Sequence, residues 1–293
     1  MRWTAGARRP AAPATPGADT WHQRCTVALS GETLQGAASV RGLLLLTDGH
    51  RLHAVAPGTG ELRPLKPLPA PRRGIELTVA GDLVLVVGGG AQAEQPDGRL
   101  FALDLTTAQW RERAKQPKPA THPAVAVANG RVHVAGGQRH GLRGRTALDD
   151  HHVFNLAAGT WRDGPALKDR RSGAAAVAVG ATLHVLGGYG SGNHPGLSRA
   201  HEVLDLAGGT AFARAPEVPA ALPVAGAAVH RGALTVLLGT SVWTFSGGAW
   251  QELASLPEPF ARPLVTSHDD RLHIIGTARA GTPEARLLVL ALG

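Results

Sequence analysis

The sequence predicts an all-β fold, in which six four-stranded antiparallel sheets form one closed ring. Three observations predict it. A unit of two apolar runs, a Gly-Gly pair, a third short run and a tryptophan recurs along the 293 residues. The apolar runs are short and β-branched, which is typical of buried strands. The units recur about every 40 to 50 residues, the period of four-stranded blades around a central axis.

The clearest copies of the unit lie in the middle of the chain. They begin with GIELTVAGDLVLVVGGG, AVAVANGRVHVAGG and AAAVAVGATLHVLGG, and they end with LFALDLTTAQW, HVFNLAAGTW and EVLDLAGGTAF, within residues 74–110, 124–161 and 174–212. Weaker copies occupy residues 37–62, 225–250 and 264–290. We therefore expect blades at about residues 31–70, 71–120, 121–170, 171–221, 222–259, and 260–293 together with 18–30.

Each recurring residue type has a physical reason in such a ring. Alanine-rich first runs suit strands near a crowded axis, and paired glycines permit a sharp exit from the second strand. A tryptophan on the outer strand fills the wider gap between blades at the rim. His133, His184 and His273 share one position of the second strand. Repetition at one register predicts packing between blades for these three histidines rather than catalysis.

The recurring motif resembles the kelch repeat. An apolar run ends in Gly-Gly, an Asp-Leu or Asn-Leu pair follows, and an aromatic residue closes the unit. The matching residues are Gly88, Gly89, Asp104 and Trp110; Gly136, Gly137, Asn155 and Trp161; and Gly187, Gly188, Asp205 and Phe212. The resemblance covers nearly the whole chain after residue 18. It implies a six-bladed β-propeller of the galactose oxidase and kelch type.

The two ends of the chain predict how the ring closes. The last unit stops after its third strand, LLVLALG, and the segment containing Trp21 has no unit of its own. We expect this N-terminal strand to complete the last blade, because closure protects strand edges that would otherwise template aggregation. Residues 1–17 are rich in proline and are expected to form a flexible tail before a single domain at 18–293.

Composition limits the classes of function. The formal charge is +8, but the basic residues are spread along the chain without a nucleic-acid-binding motif, so nucleic acid is not expected as a partner. The single cysteine excludes an intrachain disulfide. No apolar run is long enough for a membrane span, and no secretory leader is evident. We therefore expect a cytoplasmic monomer without a membrane partner.

The candidate site is a wall of long loops on one face of the ring, over residues 90–99, 138–152 and 189–202. These loops are rich in arginine and histidine, which bind carboxylates. The alternative interpretation is solvated loop charge. The candidate ligand-binding residues of the wall are Arg139, His140, Arg143, Arg145, Asp150, His152, His194, Arg199 and Glu202. Arg72 and Arg171 join them, because they resemble the arginines that line the pocket of peptide-binding kelch domains.

These residues support two hypotheses about function. The first is a non-catalytic interaction module that presents the Arg/His-rich face to an acidic protein segment or to a small anionic or sugar ligand. The second is a carbohydrate-active enzyme, such as a mutarotase or epimerase of sialic acid-like sugar acids, with Glu202, Asp150 or His194 as the acid or base. No cofactor is expected. A metal at Asp149–His152 is not expected either, because adjacent side chains on a strand point to opposite faces.

Overall fold

The computed structural model describes residues 21–29, 34–92, 94–141, 144–190, 196–257, 259–268, 270–278 and 285–292. Every regular element in these ranges is a β-strand. Within them, no helix is long and apolar enough to cross a membrane. The prediction of a β-propeller with four-stranded antiparallel blades is confirmed.

Five blades each consist of four consecutive strands of one contiguous segment. After β1 (Trp21–Leu29), blade 1 contains β2 (Gly36–Val40), β3 (Leu43–Thr47), β4 (Leu52–Val55) and β5 (Leu62–Pro64). Blade 2 contains β6 (Arg73–Ala80), β7 (Leu83–Gly90), β8 (Leu100–Asp104) and β9 (Gln109–Arg113). Blade 3 contains β10 (Ala124–Ala128), β11 (Arg131–Ala135), β14 (His151–Asn155) and β15 (Thr160–Asp163), with the hairpin β12 (Gln138–Gly141) and β13 (Gly144–Ala147) inserted.

Blades 4 and 5 repeat this plan. Blade 4 contains β16 (Ala175–Val179), β17 (Thr182–Leu186), β20 (His201–Asp205) and β21 (Ala213–Ala215), with the short pair β18 (Tyr189–Gly190) and β19 (Gly196–Leu197) inserted. Blade 5 contains β22 (Val224–His230), β23 (Ala233–Leu238), β24 (Ser241–Ser246) and β25 (Ala249–Ser255).

A further four-stranded sheet joins the two ends of the chain. It combines β26 (Phe260–His268), β27 (Arg271–Ala278) and β28 (Ala285–Leu292) with β1 in the order β1-β28-β27-β26. β1 pairs with β28 from Trp21 opposite Leu292 to Leu29 opposite Ala285. The inner strand β26 contacts the inner strands of both blade 5 and blade 1. The sheet therefore lies between the fifth and the first blade.

The hydrophobic core is divided among the interfaces between neighbouring sheets. Blades 2 and 3, for example, share one cluster that includes Leu85, Val134 and Phe154. The outer-strand tryptophans of blades 2, 3 and 5 (Trp110, Trp161 and Trp250) pack at the rim, as predicted, and each of these three donates its indole N–H to a carbonyl of the preceding blade or linker. Trp110 donates to Lys66 O (3.0 Å) and Trp250 to Pro216 O (3.0 Å). Each rim tryptophan thus links two blades by packing and by one hydrogen bond.

The second-strand histidines pack between blades, which confirms the prediction for the two central copies. His133 stacks on His151, and His151 meets Phe212 of the next blade edge-on. His184 lies beside His201, and both contact Phe245 of blade 5.

Hydrogen bonds determine how the protons of these histidine pairs are placed. His151 Nδ1 is 3.2 Å from Pro165 O and must donate to it, so its Nε2 is free to accept from His133 Nδ1 at 3.1 Å. His184 and His201 repeat the arrangement with Pro216 O. Burial lowers the pKa of His133 and His184 to about 4 and that of His151 to about 3. All three rings are therefore neutral at pH 7.

Candidate functional site

Arg72 was predicted to face a ligand, but its guanidinium lies inside blade 2. The side chain is 1% exposed. It donates to Gly88 O (3.0 Å), Gly89 O (2.8 Å) and Asp97 (3.0 Å), and it lies over the Phe101 ring. Carbonyls of a Gly-Gly turn are otherwise hard to satisfy within a sheet, and a planar guanidinium can bind several at once. Arg72 therefore holds the turn and is not available to a ligand.

Arg171 and Glu202 form the equivalent clamp in blade 4. Both side chains are completely buried and they form an ion pair with each other. Arg171 also donates to Ala200 O (3.0 Å), while Glu202 accepts from the backbone N–H groups of Lys168 (2.7 Å) and Asp169 (3.1 Å). The expectation that these two residues bind a ligand is corrected in the same way as for Arg72. Their charges and hydrogen bonds are used within the protein.

Most of the other predicted wall residues are also engaged. Asp150 pairs with Lys118 (2.5 Å) and lies 3.6 Å from Arg139, which donates to Pro119 O. His152 is buried beside Asp163. Arg199 donates to Val218 O and lies 3.6 Å from Glu217. Two further predicted residues, Arg143 and His194, lie outside the described residues.

The hairpin β12–β13 brings two predicted residues together near the axis. His140 pairs with Arg145 across the hairpin, and the base of the hairpin is joined to the preceding linker by a bridge between Thr121 and Gln138. Arg145 is exposed, and it has no acidic partner among the described residues. The neighbouring carboxylates Asp149 and Asp150 are already matched by basic side chains. Within the described ranges, the hairpin therefore presents positive charge that no acidic side chain neutralises.

His122 lies at the mouth of the axial channel, at a position that the sequence did not single out. Gly74, His122 and Gly173 occupy equivalent repeat positions where the chain enters the inner strands of blades 2, 3 and 4. His122 N donates to Gly74 O (2.8 Å), and Gly173 N donates to His122 O (2.9 Å). All three have positive φ, with values of 68°, 52° and 59°. Only the histidine has a side chain there, and this strained backbone is more common at functional sites.

Electrostatics connect His122 with the hairpin. The ring of His122 lies close to Gly74, because a Cβ added to that glycine would be 3.0 Å from the histidine Cε1. Burial lowers the pKa of His122, and the positive fields of Arg145 and then His140 lower it further. We define the channel-mouth face by these three residues: His122, His140 and Arg145. An anionic group bound there would be attracted by Arg145, and its negative charge would favour the protonated form of His122.

The channel itself contains one ionisable side chain that the sequence reading missed. Glu76 of β6 points into two adjoining cavities of about 270 and 200 Å³. Burial raises the pKa of its carboxyl to about 8. In the corresponding strands AVAVA and AAVAV of blades 3 and 4 every residue is apolar. A comparison of the repeats at this strand would have found Glu76, and alignment of Gly74 with Gly173 would have found His122.

Metal ligation finds no support in the geometry of these side chains. In the ranges given above, no group of three or more His, Cys, Asp or Glu side chains is arranged to hold a metal ion. His151 stacks on His133 while its neighbour His152 pairs with Asp163, so the two imidazoles do not converge.

Comparisons with known proteins agree with the repeat. No protein-family model matches the chain. An F-box/kelch-repeat protein of Arabidopsis thaliana is 23% identical over 88% of this chain and 75% of its own length. A second F-box/kelch-repeat protein of that plant is 24% identical over 81% of the chain and 69% of its own length. These relatives are kelch-repeat proteins, in agreement with the motif that the sequence repeats.

Two further comparisons concern a viral kelch-repeat protein and a solved structure. Kelch repeat protein M-T8 of Myxoma virus is 27% identical over 66% of this chain and 38% of its own length. Among solved structures, that of YjhT superposes with a TM-score of 0.74 over 91% of this chain and 95% of its own, at 14% identity. That likeness concerns the fold alone, and it agrees with the β-propeller seen in the blades.

Proposed function

We propose that this protein is a non-catalytic, kelch-type interaction module whose channel-mouth face binds an acidic segment of a protein partner. The observation that carries the proposal is the position of Arg145, which is exposed, lacks an acidic partner among the described residues and lies close enough to His122 to lower its pKa. Relatives named as kelch-repeat proteins support an interaction role in general. The acidic partner is inferred from the chemistry of the face.

The geometry favours a binding face over the sugar-acid enzyme. Glu202 is fully buried and pairs with Arg171, and Asp150 pairs with Lys118. A general acid or base must reach the proton that it transfers. Glu202 does not meet that requirement, and Asp150 is held by Lys118, whereas Arg145 is exposed on the β12–β13 hairpin, where a partner can reach it.

The binding test uses a fluorescein-labelled oligoglutamate peptide. A labelled oligolysine peptide, which carries the opposite charge, is the control. Fluorescence anisotropy should show saturable, salt-sensitive binding of the acidic peptide only. Arg145→Ala should weaken binding roughly threefold, the size expected for one exposed ion pair. Arg111→Ala removes the same charge from an exposed outer-strand position and should change binding little. Equal losses in both variants would show that only net charge attracts the peptide, and would reject the proposal.

We also infer that the sheet of β26, β27, β28 and β1 closes the ring as a sixth blade. Its support is the packing of Ile275 with Leu44 and Leu46 of blade 1 and of Ile274 with Leu237 of blade 5. Deletion of residues 1–26 should lower the melting temperature by roughly 10 °C or more, since each kcal/mol lost from a domain of this size is worth about 2–4 °C. Deletion of residues 1–17 is the matched control. Identical melting of both truncated proteins would contradict this closure.

A further inference from the structure

The axial channel contains one residue that breaks an otherwise apolar ring of side chains. Each inner strand contributes one residue that lines both cavities. These residues are Ala37, Glu76, Val125, Ala176, Ala227 and Val265. A carboxyl group in such surroundings is costly unless it is protonated or paired, so its presence suggests a ligand.

Glu76 has no hydrogen-bond or ion-pair partner among the residues that the structure describes. The lining side chains that face it from β2, β10, β16, β22 and β26 are not titratable. His122, at the mouth, is the nearest other titratable group in the lining, with His140 and Arg145 beyond it. Ser39 and Thr266, on the other side of the channel, hydrogen-bond each other. The carboxyl therefore has unused hydrogen-bonding capacity that points into open space.

The protonation state of the Glu76 carboxyl determines which hydrogen bonds it can make. Because burial raises its pKa to about 8, Glu76 carries a proton at pH 7 and can donate one hydrogen bond. The cavities, of about 270 and 200 Å³, are smaller than the ~300–1,000 Å³ typical of drug-sized ligands. The remaining lining is mostly alanine and valine, which suits a short alkyl chain.

We propose that the axial channel binds a short aliphatic monocarboxylate, whose carboxylate accepts the hydrogen bond donated by the Glu76 carboxyl and whose alkyl chain lies against the alanine and valine side chains. This site lies inside the ring and goes beyond the channel-mouth face. The two carboxyl groups would share one proton, which is the favourable arrangement for a close carboxyl pair.

The charge of the protein favours an anion over a cation in this channel. The formal net charge is +8, and the mouth carries His122, His140 and Arg145. An ammonium ion would be repelled by Arg145 at this mouth, whereas a carboxylate would be attracted by it. A neutral amide could also accept from Glu76, but hydrogen bonds to an ionised acceptor are roughly twice as strong.

Titration with butyrate by isothermal calorimetry between pH 6.5 and 9.5 tests the proposal, with butyramide as the neutral analogue. Butyrate should bind roughly tenfold more tightly than butyramide at pH 6.5. Above pH 8 its Kd should rise by about tenfold per pH unit, because ionised Glu76 repels the carboxylate. Absence of saturable binding, or equal affinity for the two compounds, would overturn the proposal.

Variants separate this channel site from the channel-mouth face. Glu76→Gln keeps a donor at every pH, so butyrate binding should persist and lose its dependence on pH above 8. Glu76→Leu, of similar size, should abolish binding. Arg145→Ala should change the affinity for butyrate less than twofold, while it lowers the affinity for the oligoglutamate peptide. A pH dependence that survives in Glu76→Gln would refute the role of Glu76.

A readout on the wild-type protein keeps the test independent of variant folding. The carboxyl carbon of Glu76, followed by NMR in protein labelled with ¹³C-glutamate, should titrate near pH 8 without butyrate. Bound butyrate should raise this pKa by at least about one unit, because the bound anion disfavours ionisation. An unchanged pKa in the presence of saturating butyrate would contradict the proposal.

Discussion

Blades 2 and 4 differ from blade 3 at the same repeat position. The difference distinguishes arginines that hold the fold together from the exposed arginine that a ligand can reach. Blades 2 and 4 place Arg72 and Arg171 before the inner strand, where each arginine is buried and binds carbonyls. Blade 3 has Ala120 there, and its carbonyl accepts from Gly89 N (2.9 Å) as that of Arg171 accepts from Gly137 N (2.9 Å). Two residues later, blades 2 and 4 have glycine and blade 3 has His122. Blade 3, which has no buried arginine at this position, therefore contributes His122 to the channel mouth.

Removal of the carboxylate beside a buried arginine should have the largest effect on stability, and the size of the effect should differ between blades 2 and 4. Glu202→Ala leaves the buried Arg171 with only Asp169, which is partly exposed and 3.6 Å away, as an acidic neighbour, and should lower the free energy of unfolding by about 3 kcal/mol. Asp97 is one-third exposed, so water can replace it beside Arg72, and Asp97→Ala should cost only about 1 kcal/mol. Urea denaturation measures both values. Equal costs would mean that burial does not distinguish the two clamps.

The histidine pairs are common to blades 3 and 4, so acid should weaken both blades alike. Burial depresses the pKa of His133 to about 4, with further lowering by Arg162 and Arg131. The unfolded chain binds protons near pH 6.5, so stability is complete above that pH and is lost as pH falls towards 4. His133 alone should contribute about 3 kcal/mol to this loss. Urea denaturation from pH 7 to 4 measures it.

Paired variants assign the acid effect to its source. Replacing His133 and His151 by leucine, or His184 and His201 by leucine, should remove a similar part of the pH dependence in each case. A free energy of unfolding that stays constant down to pH 4.5 in the wild-type protein would show that the buried histidines do not titrate as proposed.

The smallest expected effect on stability comes from restoring glycine at the mouth. His122→Gly gives blade 3 the residue found in blades 2 and 4 at positive φ. Relief of backbone strain and the greater freedom of the unfolded chain oppose each other, so the free energy of unfolding should change by less than about 1 kcal/mol. Binding of oligoglutamate should nevertheless weaken. A strongly destabilised variant would mean that His122 has a structural role.

The sequence contains enough information for the fold, because its signals are local. Gly-Gly pairs, alternating apolar runs and rim tryptophans each specify one strand or turn, and repetition multiplies that information. Blade boundaries near residues 71, 121 and 171 follow from them. The sequence also predicts that β1 pairs beside the last strand, since an orphan strand at each end has one natural partner.

The candidate site was less accessible to prediction. Arg72 and Arg145 look alike in sequence, and only packing shows that the first binds Gly88 and Gly89 carbonyls while the second is exposed. Alignment of the repeats marks Glu76 as unusual, because the corresponding strands of blades 3 and 4 are apolar, but its position beside the cavities becomes apparent only when the inner strands converge at the axis. The identity of a side chain therefore predicts which ligand chemistry is possible, but only its burial shows whether a ligand can reach it.

The pKa of His122 with and without bound oligoglutamate tests the central claim most directly. In the free protein it is lowered by burial and by Arg145 and His140. An acidic segment on the channel-mouth face adds negative charge beside the ring, so NMR titration should show this pKa rising by about one unit on saturation. His53, on blade 1, should keep its value and serves as the internal control. A bound peptide that leaves the pKa of His122 unchanged would contradict the account.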